Sequence, residues 1–104
     1  MGVQLVAGWN SVMYGGPTTS AAAAFNQLVP HLQYDSEGNT TAIQVWDNVN
    51  KRWLMWDPRD LPDSITTLNN GAICGIYVVD DVYWDWAAAV TAQVSGLDVA
   101  YVKV

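Results

Sequence analysis

The stretch Ala42 to Trp56, read as AIQVWDNVNKRWLMW, constrains the fold of this chain more than any other. Two runs of β-forming residues flank the polar segment 47–52, whose Asp and Asn residues favour a turn because they bond their own backbone. The stretch therefore predicts a β-hairpin. Trp46 and Trp53 lie near the ends of the connection, where a cross-strand aromatic pair adds about 0.2–1 kcal/mol. We expect both indoles to be buried and the hairpin to form the centre of the fold.

Length and composition predict a single domain over residues 1–104, because a chain of this size buries enough surface to fold without covalent links. Cys74 is the single cysteine, so an intrachain disulfide is excluded and stability must come from packing. A net charge of −6 repels phosphate backbones and predicts no nucleic-acid partner. Neither a membrane-spanning apolar run nor a signal-peptide pattern is present in the sequence, so we expect no membrane insertion and no export signal.

The N-terminal third predicts one strand followed by one short helix. Residues 3–6 and 9–14 are strand-like, with a bend at Ala7-Gly8, and together form the predicted first strand. A helix is predicted over residues 20–29, because an alanine run follows candidate capping residues and Phe25 begins an i, i+3, i+4 apolar pattern. Pro30 is expected to end this helix.

The C-terminal half predicts further strands. Ile73 to Val79 and Val82 to Trp86 flank Asp80-Asp81, so a second hairpin is expected, with Tyr83 and Trp84 on opposite faces. Residues 97–104 have the apolar density of a final strand. The fold class predicted is α+β and β-rich: a curled, mostly antiparallel sheet, closed toward a small barrel or sandwich, with one helix near residues 20–29.

Candidate catalytic and metal-binding residues form no convincing constellation. A Cys–His dyad requires His31 and Cys74 within hydrogen-bond reach of each other, yet Cys74 lies in an apolar strand, and zinc needs more Cys or His ligands. Two acidic groups could be offered as calcium ligands or a glycosidase pair: Asp57, Asp60 and Asp63, and Asp80, Asp81 and Asp85. We interpret both as solvated acidic loops. The sequence therefore predicts no enzyme, no cofactor and no metal site.

The six tryptophans are the main candidates for a binding surface, because strand alternation cannot direct all of them inward. Three interpretations remain open: core packing, a protein interface, or a carbohydrate platform that stacks a sugar ring beside Asp or Asn. The candidate binding residues are Trp53, Trp56, Trp84, Trp86 and Tyr83.

Several short motifs occur in a distinctive order: Gly8-Trp9-Asn10, Val45-Trp46-Asp47, Trp56-Asp57, Thr66-Thr67-Leu68 and Tyr77-Val78-Val79. In this order the chain resembles the "GWN" repeats of multi-domain bacterial surface proteins over about residues 4 to 86. The resemblance implies a non-enzymatic extracellular module. A single copy would also suit a subunit of a larger particle, such as a phage decoration protein.

We therefore predict a structural or interaction module with protein partners or self-association, on a virion or cell surface, and a carbohydrate-binding module as the alternative. Terminal strands with little edge protection are expected to pair with another chain and so to contribute to docking. In residues 97–104, Val99, Tyr101 and Val102 would present apolar bulk at such an edge, unless the two terminal strands pair with each other.

Overall fold

The computed structural model describes residues 1–59 and 61–87. In chain order they form β1 (Gly2–Leu5), β2 (Gly8–Met13), β3 (Thr19–Ser20), α1 (Ala21–Phe25), a 3-10 helix (Asn26–His31), β4 (Ile43–Asp47), β5 (Arg52–Trp56), β6 (Thr67–Leu68), β7 (Ile73–Val78) and β8 (Val82–Asp85). The strand pairs are antiparallel. The predicted α+β, β-rich fold with one short helix is confirmed, although the described residues form no closed barrel.

A four-stranded sheet in the order β2-β7-β4-β5 forms the largest layer, and the predicted hairpin supplies its β4 and β5. Trp46 is the register partner of Trp53. The Asp47 carboxylate organises the turn by accepting hydrogen bonds from the backbone N–H of Val49 at 3.0 Å and from the side chain of Asn50 at 2.8 Å. The turn chemistry that the sequence indicates is therefore the chemistry that closes this hairpin.

A bulge divides the predicted first strand into β1 and β2. The prediction of a second hairpin, at Asp80-Asp81, is wrong. β8 pairs with β1 instead of folding back on β7, which pairs with β2 and β4. Leu5 pairs with Val82 and Gly8 pairs with Val78, so two residues on one side oppose three on the other. Such a bulge bends both strands and separates the β1–β8 ribbon from the four-stranded sheet.

The Gly8-Trp9-Asn10 motif holds this bulge. Gly8 adopts a φ of 105°, which favours glycine. The Asn10 side chain accepts a hydrogen bond from the N–H of Val6 at 3.1 Å and donates to the carbonyl oxygens of Val6, Gly8 and Ile76 at 2.9 to 3.2 Å. The same amide thus satisfies backbone groups on both strands where their pairing is interrupted.

The helical segment begins where predicted and ends differently. The hydroxyl of Ser20 accepts from the N–H of Ala23 at 3.1 Å and caps α1. After Phe25 the chain continues as a 3-10 helix that contains Pro30. The proline ring would clash with the carbonyl of the residue four positions earlier, so α-helical geometry already stops at Phe25 while the tighter helix carries the chain past residue 29. No helix in the described part of the chain is long and apolar enough to cross a membrane.

The core lies between the four-stranded sheet and this helical segment, with aromatic rings at its centre. Trp84 is completely buried and donates from Nε1 to the carbonyl oxygen of Ala24 at 2.7 Å. Its ring stacks on Tyr14 and Phe25 at centroid distances of 5.5 and 5.4 Å, and Phe25 in turn contacts Trp56 at 5.4 Å. These rings join strands to helix, so the aromatic cluster holds the two layers together.

Candidate functional site

The side of the four-stranded sheet that faces away from the core, here called the outer face, combines exposed aromatic side chains with a lack of charge. Strand alternation places these residues on it: Trp9, Ser11, Met13, Gln44, Trp46, Trp53, Met55, Ile73, Gly75 and Tyr77. None of these positions holds a charged residue, although the chain has ten acidic and four basic residues. The outer face is therefore an uncharged surface on a strongly acidic protein.

Two edge-to-face aromatic pairs lie on the outer face. The rings of Trp9 and Tyr77 have centroids 5.4 Å apart at 72°, and those of Trp46 and Trp53 are 5.3 Å apart at 64°. Trp9 is 60% exposed and Trp53 is 47% exposed. Trp46 is half-buried beside Trp53 on this face, so the expectation that both indoles are buried in the core is wrong. Strand alternation directs Ile43, Val45 and Trp56 of the same hairpin inward instead.

Gly75 lies in the middle of the outer face, with Ser11 and Gln44 as its register partners on either side. Its φ is not positive, so the backbone does not require glycine. A Cβ atom built at this position would find its nearest heavy atom, Cζ3 of Trp53, at 4.0 Å, so packing does not require glycine either. A glycine in a strand interior often marks a site where a ligand or another chain approaches closely. Gly75 leaves a shallow depression in the outer face.

An open groove of about 440 Å³ lies at the Trp9–Tyr77 end of the outer face. Its lining combines the aromatic residues Trp9, Tyr34 and Tyr77 with Gln33, Asp35 and Thr41. The carboxylate of Asp35 accepts hydrogen bonds from Asn39 and from the N–H of Glu37, and the bonds from Asn39 contribute most to lowering the pKa of Asp35. This carboxyl group is therefore ionised at neutral pH.

An ion pair between the buried Asp57 and the exposed Arg59 holds the loop beside this groove. Asp57 is 6% exposed and accepts from Nε and Nη2 of Arg59 at 3.2 Å each, while Arg59 also donates to the side chain of Asn39. Burial by itself raises the pKa of Asp57, but the hydrogen bonds and charge of Arg59, with the backbone of Thr40, outweigh it, and the pKa of Asp57 is lowered.

We expect stability to fall as the pH drops through the folded-state pKa of Asp57. Because this pKa lies below the unfolded value of about 3.9, the unfolded chain takes up the proton first, and the stabilisation is present above about pH 4 and lost below it. Asp57→Asn should cost about 1–3 kcal/mol at pH 7, and the cost should shrink in acid. Urea unfolding from pH 7 to acid checks this, with Asp63→Asn as the exposed control. An equal cost at every pH would contradict it.

The structure corrects several of the predicted surface residues. Trp56 and Trp84 are buried, at 5% and 0% exposure, because both rings pack against Phe25. Trp86 is half-buried and packs edge-on against Tyr14 and Trp84. The remaining two are exposed, Trp53 on the outer face and Tyr83 on the β1–β8 ribbon. The predicted docking residues Val99, Tyr101 and Val102 lie outside the described residues.

The aromatic residues that sequence reasoning missed are Trp9, Tyr34 and Tyr77. Trp9 and Tyr77 were predicted to lie on strands, but only the register that places them opposite each other makes them a pair. Tyr34 belongs to the irregular segment after the 3-10 helix, for which no periodic pattern exists. A Tyr-Asp pair directly before a turn signal is the one local feature that could have marked this segment.

The side chains that could act as nucleophiles, bases or metal ligands are buried or hydrogen-bonded to other groups. Cys74 is buried, which raises the pKa of its thiol to about 12 and disfavours the nucleophilic thiolate. Nδ1 of His31 lies 2.7 Å from the carboxylate of Asp80, and the carboxylate of Asp81 accepts from the N–H of Ala7. The described residues bring together no group of three or more His, Cys, Asp or Glu side chains that could hold a metal ion.

No family model, no curated protein and no solved structure matches this chain. The resemblance to the GWN repeats therefore stays a prediction that rests on the order of its motifs.

Proposed function

We propose that this chain is a non-catalytic interaction module that buries its outer face against the outer face of a second copy, as a subunit of a larger assembly of virion or surface-layer type. The observation that carries this proposal is the absence of charge from the outer face of a chain with net charge −6. Interface cores are depleted in charged residues and enriched in Trp, Tyr and Met. The outer face has this composition.

A second copy fits this surface for electrostatic and steric reasons. Two chains of charge −6 repel each other over most of their surfaces, so a self-interface must be formed where charge is lacking. In a two-fold pairing every contact between two different residues occurs twice, once in each direction, so apolar side chains of each copy can fill the depression over Gly75 of the other. Two stacked sheets lie about 10 Å apart, a spacing that interdigitating side chains fill.

Sedimentation velocity tests the proposal through Trp53. We expect the wild-type chain to dimerise at concentrations up to about 100 μM and Trp53→Ala to weaken the dimer by about tenfold or more, as for an aromatic anchor. Tyr83→Ala is the matched control, since Tyr83 is 49% exposed against 47% for Trp53 but lies on the β1–β8 ribbon. Equal weakening by both changes, or a wild-type monomer throughout, would contradict the proposal.

The dependence of the dimer dissociation constant on salt concentration is a second test of the same interface. Because the buried face carries no charge while the two copies repel each other elsewhere, raising the ionic strength should tighten the dimer. An interface held by ion pairs would weaken instead. Dissociation constants measured at about 0.02 M and 0.5 M salt, where the screening length differs several-fold, distinguish the two.

A further inference from the structure

We infer that the groove formed by Trp9, Tyr34 and Tyr77 binds a neutral oligosaccharide of gluco-configured rings. The groove lies at the Trp9–Tyr77 end of the outer face and extends onto the segment 33–42, so the proposed dimer would compete with the sugar for Trp9, and we assign the sugar site to the monomer. Its volume of about 440 Å³ falls within the roughly 300–1,000 Å³ typical of ligand sites.

The aromatic walls of the groove suit the apolar face of a sugar ring. Trp9 and Tyr77 meet at 72°, so their rings form two walls of a corner rather than a single flat stack. Trp9 is 60% exposed, which leaves most of its indole available to a ligand. A gluco-configured ring with equatorial hydroxyls presents a flat face of axial C–H bonds, and this weakly positive face packs on the negative π-face of an indole.

Hydrogen-bonding groups in the groove are unused within the described part of the chain. No described residue hydrogen bonds to Nε1 of Trp9, the hydroxyl of Tyr77, the amide of Gln33 or the hydroxyl of Thr41. Amides and hydroxyls can both donate and accept, as sugar hydroxyls require. By contrast, the hydroxyl of Tyr34 donates to the carbonyl of Val29 at 2.8 Å and fixes that ring as a wall. Aromatic walls with free donors and acceptors match a polyhydroxylated ligand better than a purely apolar one.

Charge restricts the ligand to neutral sugars. Asp35 lines the groove, its pKa is lowered chiefly by the hydrogen bonds from Asn39, and the chain carries net charge −6. The nearby cation, Arg59, is engaged by Asp57 and Asn39. A uronic acid would therefore be repelled, whereas glucose and N-acetylglucosamine units would not.

Calorimetric titration of the full chain with four hexasaccharide probes tests the inference. The neutral probes are cellohexaose and chitohexaose, the acidic probe is a hexamer of glucuronic acid with the same ring configuration, and mannohexaose has an axial hydroxyl that interrupts one of the two flat ring faces. We expect at least one of the two gluco-configured probes to bind, at least about tenfold more tightly than the other two. Equal binding of the acidic probe, or no binding of either gluco-configured probe at millimolar concentration, would overturn the inference.

Two variants locate the site and separate it from the dimer interface. Trp9→Ala should weaken sugar binding at least about tenfold, and Thr41→Val, which keeps the side-chain shape but removes the hydroxyl, should weaken it several-fold, both with unchanged melting temperature. Trp53→Ala, at the other end of the outer face, should not weaken sugar binding, and should strengthen it at concentrations where the wild-type dimer covers Trp9. Loss of dimerisation but not of sugar binding in Trp9→Ala would assign the groove to the protein interface and overturn the inference.

Discussion

Replacing Trp84 with alanine is expected to lower the free energy of unfolding by about 3–5 kcal/mol, a large share of a small domain's stability. The indole is fully buried between Tyr14 and Phe25, so truncation leaves a cavity between the strands and the helical segment. It also removes the hydrogen bond to the carbonyl of Ala24. Urea unfolding monitored by circular dichroism measures the loss.

Trp53→Ala is the control for this change, because it removes the same side chain from the outer face. Trp53 is 47% exposed and pairs edge-on with Trp46, so its loss should cost only about 1 kcal/mol. Trp84→Phe keeps most of the ring volume and should fall between the two. Equal costs for Trp84→Ala and Trp53→Ala would show that the core does not depend on the buried aromatic cluster.

Replacing Asn10 with alanine is expected to cost about 2 kcal/mol, because each unsatisfied backbone group that it leaves at the bulge carries its own penalty. The side chain bonds to backbone groups of Val6, Gly8 and Ile76, and because the bonds to Gly8 and Ile76 are partly buried, water replaces them incompletely after its removal. Asn10→Asp should not restore stability, since a carboxylate cannot donate to three carbonyl oxygens. Thermal melting of both variants measures the effect.

Asn48→Ala provides the matched control for Asn10, since Asn48 lies in the exposed hairpin turn and bonds to the side chain of Lys51. Its loss should stay within about 0.5 kcal/mol. If Asn10→Ala were as mild as Asn48→Ala, the bulge would not depend on the Gly8-Trp9-Asn10 motif, and the motif would need another explanation.

The elements that the sequence predicted correctly depend on local chemistry. The hairpin of β4 and β5 follows from a polar turn between two strand-like runs, and Ser20 begins the helix because it caps the first free N–H groups. The bulge could not be predicted in this way, because it joins residues 6–7 to residues 79–81 across most of the chain. A local pattern therefore suggested a hairpin at Asp80-Asp81 where β8 instead pairs with β1.

The candidate site was predictable only in part. Strand alternation places Trp53 and Trp56, three residues apart, on opposite faces, but the packing of Phe25 decides which of them is buried. The absence of charge from the outer face becomes visible only when the register brings β2, β7, β4 and β5 side by side. The groove at Trp9 also requires the irregular segment 33–42, whose position no periodic pattern encodes.

Sedimentation of a Gly75→Glu variant tests the proposed role of the outer face most directly. The new side chain has open space above the sheet, so the chain should fold with unchanged secondary structure but carry a charge at the centre of the proposed interface. Val49→Glu adds the same charge at a residue that is 88% exposed in the hairpin turn. We predict that Gly75→Glu is monomeric at concentrations where the wild type and Val49→Glu are dimeric. A Gly75→Glu chain that dimerises as tightly as Val49→Glu would contradict the assignment of the outer face as the interface.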